Sequence, residues 1–565
     1  MRITFCGAAT GVTGSCHLIT TDKHQILLDC GQFQGGAAED AMNYQDFPFN
    51  PAEIETVVVS HAHIDHCGRL PLLVKRGFKG TIYASSATAD LLDVMLKDSA
   101  HIHETEAERK NRKAQRAGRE LVEPLYTAKD AEDTLKFIRP VLYDTLVEIN
   151  DQMKIVFNDA GHILGSGIVE LWVTEGEDTS KIVFSGDIGM NDRPILADPV
   201  RIKKADYVIM ETTYGDRLHE ANLTSIDKLI EIIKTTTQRG GNVVIPSFAV
   251  GRTQELIFEL NKIYDGKGPL HDAIKDVPVY VDSPMAIEAT EIFKNNAQVY
   301  DEDMRNFLMR GDHPLDFPNL HFSRTSEESQ RINVDLTPKV IISASGMCDA
   351  GRIRHHLKHN LWNEKSSIVF VGYQAEGSLG RAIVEGASEV TLFGETINVA
   401  AEIHNLEGFS GHADRDALYA WLCGFEKKPK AIFLVHGEMD AKRNFAAFVK
   451  ENKGWDCEVV EGFDTYALAC RNGVEYSEDG SIKDDLDAEK VAAAKVAAEA
   501  EFASGEEIQL VRHRIANIHS ALGDVLYNTT TSIQNDITPE QLTRIKNIVA
   551  ALEKDTLDLG ASVSK

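Results

Sequence analysis

An apolar run that breaks at once into closely spaced histidines constrains this chain more than anything else in it. In VVVSHAHIDHCGRLP, strand-forming valines lead into His61, His63, Asp65 and His66. Residues i and i+2 of an extended chain point the same way, so His61 and His63 can grip one ion while Asp65 and His66, in the turn toward a helix, face a second. With 20 histidines in 565 residues, three at these offsets arise by chance roughly 0.02 times per chain. The placement then recurs. KIVFNDAGH ends at His162, KIVFSGD at Asp187 and AIFLVH at His436, each just after an apolar strand. Taken singly, each histidine reads better as a satisfied structural residue. As a set at one sheet edge they require a cation, because clustered imidazoles and buried carboxylates are costly without one. Imidazoles mixed with carboxylates suit zinc, with manganese as second choice.

A chain of 565 residues and 62.4 kDa is too long for one compact core, so several domains are expected. Hydrophobic residues at 43% and charged residues at 26% describe a globular protein rather than a disordered or fibrous one. No run approaches the eighteen or so apolar residues of a membrane span, and MRITFCGAATGVTG lacks a basic and apolar leader pattern, so no membrane partner and a cytoplasmic location are expected. The eight cysteines are scattered without a C-x-x-C pair and read as buried small hydrophobes. A net charge of −28 repels polyanions at long range. On charge alone nucleic acid is disfavoured, unless cations gather in a cleft or arrive as bound metal.

Short β-branched runs separated by Gly- and Asp-rich turns make the first two hundred residues strand-rich. Between Ala87 and Arg139 the pattern turns helical, and Arg109 to Arg119 carries six basic residues and no acid. Arg109, Arg112, Lys113 and Arg116 share one helix face. A solvated surface is the preferred reading of that face, and a phosphate rail the sharper one. From Glu211 to Glu395, NVVIPSFAVG, PVYVDSP, KVIISASG and SIVFVGY alternate with helical segments, which predicts a parallel α/β sheet with ligands at the strand C-termini. Strand patterning resumes after Glu395. Residues 471–511 then hold four basic and eleven acidic residues, and 512–565 reads as two amphipathic helices. This tail is expected to be a linker and a helical oligomerisation or packing element.

HAHIDH, Asp29 in ILLDCG, His162 in AGHILGS and Asp187 in FSGDIG resemble the motifs of the metallo-β-lactamase fold. METTYGD with Glu211, PSFAVGRTQEL, YVDSPMA, SASGMCDAGRIRHHL, GYQAEGSLGR, FSGHAD with His412 and LVHGE with His436 extend the resemblance to the β-CASP ribonucleases, prokaryotic relatives of the pre-mRNA 3′-end cleavage subunit, over about residues 1–470. The resemblance implies an αββα sandwich split as 1–209 and 396–470, an inserted α/β β-CASP domain at 210–395, and a helical extension at 471–565. It places His61, His63 and His162 on one zinc, Asp65, His66 and His436 on another, and Asp187 between them. Asp29 supports the site, and His412, paired with Glu211, is the implied proton donor to the leaving group.

The implied reaction is two-metal hydrolysis of single-stranded RNA to a 3′-hydroxyl and a 5′-phosphate. Endonucleolytic cutting is preferred, because HAHIDHCGRLP is closer to the 3′-end-processing group than to the RNase J type. RNA is preferred over DNA because His436 stands where the DNA-repair branch carries valine. The alternatives are a 5′-3′ exoribonuclease, a metallo-hydrolase of small esters or thioesters, and an inactive scaffold, the last disfavoured because no metal ligand is missing. Phosphate contacts are expected from Arg252, Ser345, Arg352, His355, His356 and Arg381, although Arg252 and Arg381 read equally well as internal ion-pair partners. Archaeal relatives carry N-terminal KH domains, whereas this chain opens on the first sandwich strand. RNA affinity is therefore expected from the cleft, the helical insert, a homodimer or a partner.

Overall fold

The computed structural model describes residues 1–468 apart from 220–221, 310–312, 373, 375–376 and 407–410. The linker and helical tail expected over 471–565 lie outside the described residues, as do parts of GYQAEGSLGR and FSGHAD.

Two seven-stranded sheets form the first body of the fold. One runs in the order Thr465–Ala467, Arg2–Phe5, His17–Thr20, Gln25–Leu28, Thr56–Val59, Thr81–Ser85, Ile138–Val141. The other runs Glu458–Val459, Ala431–Val435, Tyr207–Glu211, Asp178–Phe184, Gly167–Glu175, Met153–Asp159, Val147–Glu148. Alternation along each strand decides which layer a side chain joins. In Tyr207–Glu211, Tyr207 and Ile209 enter the core between the sheets with Phe5, Leu28, Phe157 and Phe433. Val208 and Met210 point outward onto Leu418, Trp421 and Phe445 of the helices Arg415–Leu422 and Met439–Lys453. Val57 and Val59 of the first sheet likewise face the helices on its outer side, where Leu91, Leu92 and Leu96 of the long helix Ser86–Ala117 pack. The result is an αββα sandwich whose two sheets draw on both ends of the described chain.

A six-stranded, wholly parallel sheet forms the insert, in the order Leu320–Phe322, Val279–Val281, Val340–Ser343, Val243–Pro246, Ser367–Phe370, Glu402–Asn405. Val243 and Ile245 face one helical layer and Val244 the other, so near-continuous apolar runs are buried on both sides. One of its strands is not legible from the sequence, and for another the sequence shows a strand but not the sheet it joins. Leu320–Phe322 is too short to show a pattern, and Glu402–Asn405 is an edge strand with polar outward positions that lies past residue 395.

A buried polar knot stiffens this sheet. Asp282, fully buried at the end of Val279–Val281, accepts from Ser329 Oγ (2.6 Å) and Arg352 (2.7 Å) and pairs with His356 Nε2 (2.6 Å). Burial alone would raise its pKa, but the His356, Ser329 and Arg352 hydrogen bonds outweigh it and hold the carboxyl at about 2. A depressed acid contributes stability above its unfolded pKa, so this contribution is lost as pH falls from 3.8 to about 2. Asp282→Ala leaves Arg352 and His356 without their anion and should destabilise the insert by about 3–5 kcal/mol, read as an earlier urea transition. A midpoint equal to that of the parent chain would refute this.

Candidate metal centre

The functional residues stand where strands end. His61 follows Thr56–Val59, His162 follows Met153–Asp159, Asp187 follows Asp178–Phe184, Glu211 closes Tyr207–Glu211 and His436 follows Ala431–Val435. His63 caps the short helix Ile64–Cys67, which carries Asp65 and His66. The turn is held against the Asp29 loop so closely that a Cβ on Gly31 would lie 1.6 Å from the Asp65 carbonyl oxygen. Asp29 and His436 both adopt left-handed backbone, at φ 61° and 48°, a conformation that costs a non-glycine residue about 1–2 kcal/mol. At Asp29 the return is visible. Its carboxylate accepts from Ser60 N (2.8 Å), Ser60 Oγ (3.0 Å) and Ser15 Oγ (2.9 Å) and pairs with His66 Nδ1 at 2.7 Å.

These termini gather two sets of donor atoms, His61, His63, His162 and Asp187 in one, and Asp65, His66 and His436 in the other. His63 Nδ1 lies 3.1 Å from His61 Nε2 and 3.2 Å from His162 Nε2. A ring nitrogen has one hydrogen or one lone pair in its plane, so it cannot satisfy both neighbours. In the second set His66 Nε2 and His436 Nε2 are 3.1 Å apart, and Asp65 Oδ2 is 3.4 Å from the latter. Asp187 Oδ2 stands between the sets, 3.4 Å from His61 Nε2, 3.3 Å from His66 Nε2 and 3.5 Å from His162 Nε2. Asp187 Oδ1 is buried without a hydrogen bond among the described residues. Nitrogen atoms crowded face to face beside an unsatisfied buried carboxylate fit divalent cations and little else.

Protonation follows the same logic. Burial drives His61 and His162 well below the ordinary imidazole range and His63 down to about 4, leaving neutral rings with lone pairs to donate. His66 behaves differently: burial opposes its proton, but Asp187, Asp29 and Asp65 surround it and raise its pKa well above the usual value. Asp29 on Nδ1 leaves Nε2 for the centre. Thr213 Oγ1, 2.6 Å from Glu211 Oε2 and 3.1 Å from His436 Nδ1, ties the Glu211 carboxylate to the His436 ring. Ser15, Ser60 and Thr213 went unread as site residues. Hydroxyls are common, and of the three, Ser60, adjacent to His61, and Thr213, inside METTYGD, carry a positional signal.

His412 lies beside this centre, its Nδ1 3.2 Å from both oxygens of Glu211 and 3.9 Å from Asp187 Oδ2. Burial works against its proton, yet Glu211 and then Asp187 outweigh it and raise the pKa to about 9. The histidine opens onto a cavity of 360 Å³ that also exposes His63, Asp65, Asp187 and His436, with Phe248, Arg252 and Ser345 from the insert and Met95 and Ile102 from the long helix on its walls.

The expected phosphate contacts are divided by the structure. Arg252 and Ser345 line the cavity, and Arg252 is ion-paired with Glu255 on the same helix. Arg352 and His356 are committed to Asp282, His355 stacks on Phe393 with ring centres 4.3 Å apart, and Arg381 pairs with Glu385 at 2.5 Å. None of these last four lines the cavity.

Residues 9–234 match the family described as the metallo-beta-lactamase superfamily, 253–383 the Beta-Casp domain, and 396–460 the Zn-dependent metallo-hydrolase RNA specificity domain. The chain is 37% identical over 438 residues to Ribonuclease TTHA0252 of Thermus thermophilus, covering 78% of this chain and 93% of that one. It belongs to the β-CASP branch of the metallo-β-lactamase superfamily. The transcription termination factor FttA of Methanocaldococcus jannaschii is 34% identical over 463 residues, 80% of this chain and 69% of FttA, and that of Methanococcus maripaludis is 34% identical over 471 residues, 80% and 70%. As a β-CASP protein this chain is a metal-dependent hydrolase, and no helix among the described residues is long and apolar enough to cross a membrane.

Asp29 touches no reacting group, yet it orients His66 and pins Ser60. Asp29→Ala should weaken divalent-metal affinity about 10–100-fold in a chelator competition while the chain stays folded. Unchanged affinity in a folded variant would remove Asp29 from the site's support.

Proposed function

We propose that this β-CASP protein is a ribonuclease that holds two zinc ions and cuts single-stranded RNA internally. The observation that carries the reading is the His412–Glu211 pair set against Asp187 at the wall of a cavity that the insert helps to close. A hydrolase of small esters needs neither the insert nor a second acid. The resemblance of residues 396–460 to an RNA specificity domain, and the relative named as a ribonuclease, point the same way.

His61, His63 and His162 would hold one ion and Asp65, His66 and His436 the other, with Asp187 shared. Bound there, the ions supply neutralisation of the phosphodiester and a lowered pKa for water. The chain's own residues do the remainder. Glu211 accepts from His412 Nδ1, which fixes the ring and keeps it protonated, so that Nε2 can give its proton to the departing 3′ oxygen. Ile188 N, 2.6 Å from Glu211 Oε1, and Thr213 hold Glu211 in register for that task. The products are a 3′-hydroxyl and a 5′-phosphate. Ser345 and Arg252 on the cavity wall are the phosphate contacts this reading retains. The homodimer expected from the tail rests on residues outside those described.

His412→Ala should lower kcat on RNA about 10²–10⁴-fold with metal content unchanged. The decisive assay incubates 5′-labelled and 3′-labelled single-stranded RNA with the zinc-loaded chain and with Asp187→Ala. Internal fragments that vanish in the variant support the proposal. Mononucleotide release from one end makes the enzyme an exonuclease, and thioester hydrolysis without RNA cleavage would sink the ribonuclease reading.

A further inference from the structure

The helix Ser86–Ala117 is 32 residues long, but its buried positions stop at Ala107. Its inner part reaches the cavity through Met95, Asp98 and Ile102. At about 100° per residue these three point in nearly the same direction as Arg109, Lys113 and Arg116, all six falling within a sector of about 60°. The stripe that lines the cavity therefore continues outward as a row of cations. Arg112 flanks it. Arg109, Arg112, Lys113 and Arg116 are all exposed, and none has an ion-pair partner among the described residues.

The opposite side of the helix is occupied. Ala107 is buried there, Asn111 makes two hydrogen bonds to the backbone of Val122 (2.9 and 2.8 Å), and Glu104 accepts from Ala128 N at 3.2 Å. The returning chain thus covers the back of the helix and leaves the basic face open. Glu106 and Lys110 sit on its flank, near Asp40. Like charges at i, i+3 and i, i+4 destabilise a helix, and Arg109/Arg112, Arg109/Lys113, Arg112/Arg116 and Lys113/Arg116 are four such pairs; Glu106 and Glu108, one turn before Arg109 and Arg112, form no ion pair with them among the described residues. In a chain of net charge −28 they add nothing to solubility. Their complement is a polyanion arriving from outside.

We propose that this stripe is a rail for the RNA backbone, binding phosphates about 10 to 21 Å along the helix from Ile102, beyond the cavity mouth, at 1.5 Å per residue. The proposal rests on the ribonuclease reading. It assigns the reach for long substrates to side chains far from the metal donors, and it places a local positive track where the global charge would otherwise repel the strand.

The test uses the full zinc-loaded chain and the triple variant Arg109→Gln, Lys113→Gln, Arg116→Gln. Binding of an unstructured RNA of roughly 30 nucleotides and one of about 6 is followed by anisotropy across a salt series, with KM and kcat for each. At about 0.7 per phosphate contact, the slope of log K against log salt for the long RNA should fall in magnitude by about 2. Its KM should rise about 10-fold with kcat unchanged, and the short RNA should be unaffected. Arg109→Lys, Arg116→Lys should behave like the parent, because the rail needs charge and not a particular side chain. An unaltered slope and KM for the long RNA would overturn the rail, as would equal losses on both RNAs, which would mark a structural defect. Should the parent chain neither bind nor cut either RNA, the ribonuclease reading itself falls, a result distinct from a rail that fails while cleavage persists.

Discussion

Everything at the functional edge depends on how the Asp187 carboxylate is held. It is buried, within 3.5 Å of three imidazole nitrogens, and it sits between two donor sets that come from both sheets. A carboxylate in that position is costly unless cations or donors surround it. The fold brings those surroundings together by ending five strands at one edge, with Asp29, Ser60 and Thr213 behind them to aim the rings. Removing any of these supports loosens a ligand rather than a lid, so the site is a property of the sandwich as a whole.

Chemistry and reach are separated in this molecule. The metal donors and the His412–Glu211 pair occupy a cavity closed partly by the insert. The open cations lie on the outer part of a helix that is anchored in the sandwich core by Leu91, Leu92 and Leu96. One rigid element thus links the wall of the cavity to the surface outside it. That arrangement lets an acidic protein present a positive path without a basic overall composition, because salt weakens the repulsion from distant acids, over a length of roughly 10 Å, more than the attraction of cations in contact with the strand.

The insert shows how a side chain can look functional and be structural. Arg352 and His356 follow a Gly-containing turn at a strand C-terminus, a usual place for phosphate contacts, and both are instead engaged by Asp282. Nothing in the local pattern reveals this, since Asp282 is seventy or more residues earlier in the chain and meets them only because Val279–Val281 and Val340–Ser343 are neighbours in the sheet. Arg252 and Ser345, drawn from the same kind of turns, do line the cavity.

The spacing of HAHIDH, and the repeated placement of a donor after an apolar strand, made the metal centre legible from the sequence because strand periodicity and the needs of a cation are local rules. The strand-rich first two hundred residues and the parallel insert were legible for the same reason, through runs such as TVVV and KVIIS, whereas the sandwich split between the two ends of the described chain came from the resemblance. What tertiary structure alone decided was long-range: that Glu402–Asn405 joins the insert's sheet, that Ser15 and Ser60 serve Asp29, that Arg352 and His356 serve Asp282, and that the basic face of the long helix is the open one. Each of these depends on partners distant in the chain or on which side of an element is covered, and neither is encoded in any short stretch of residues.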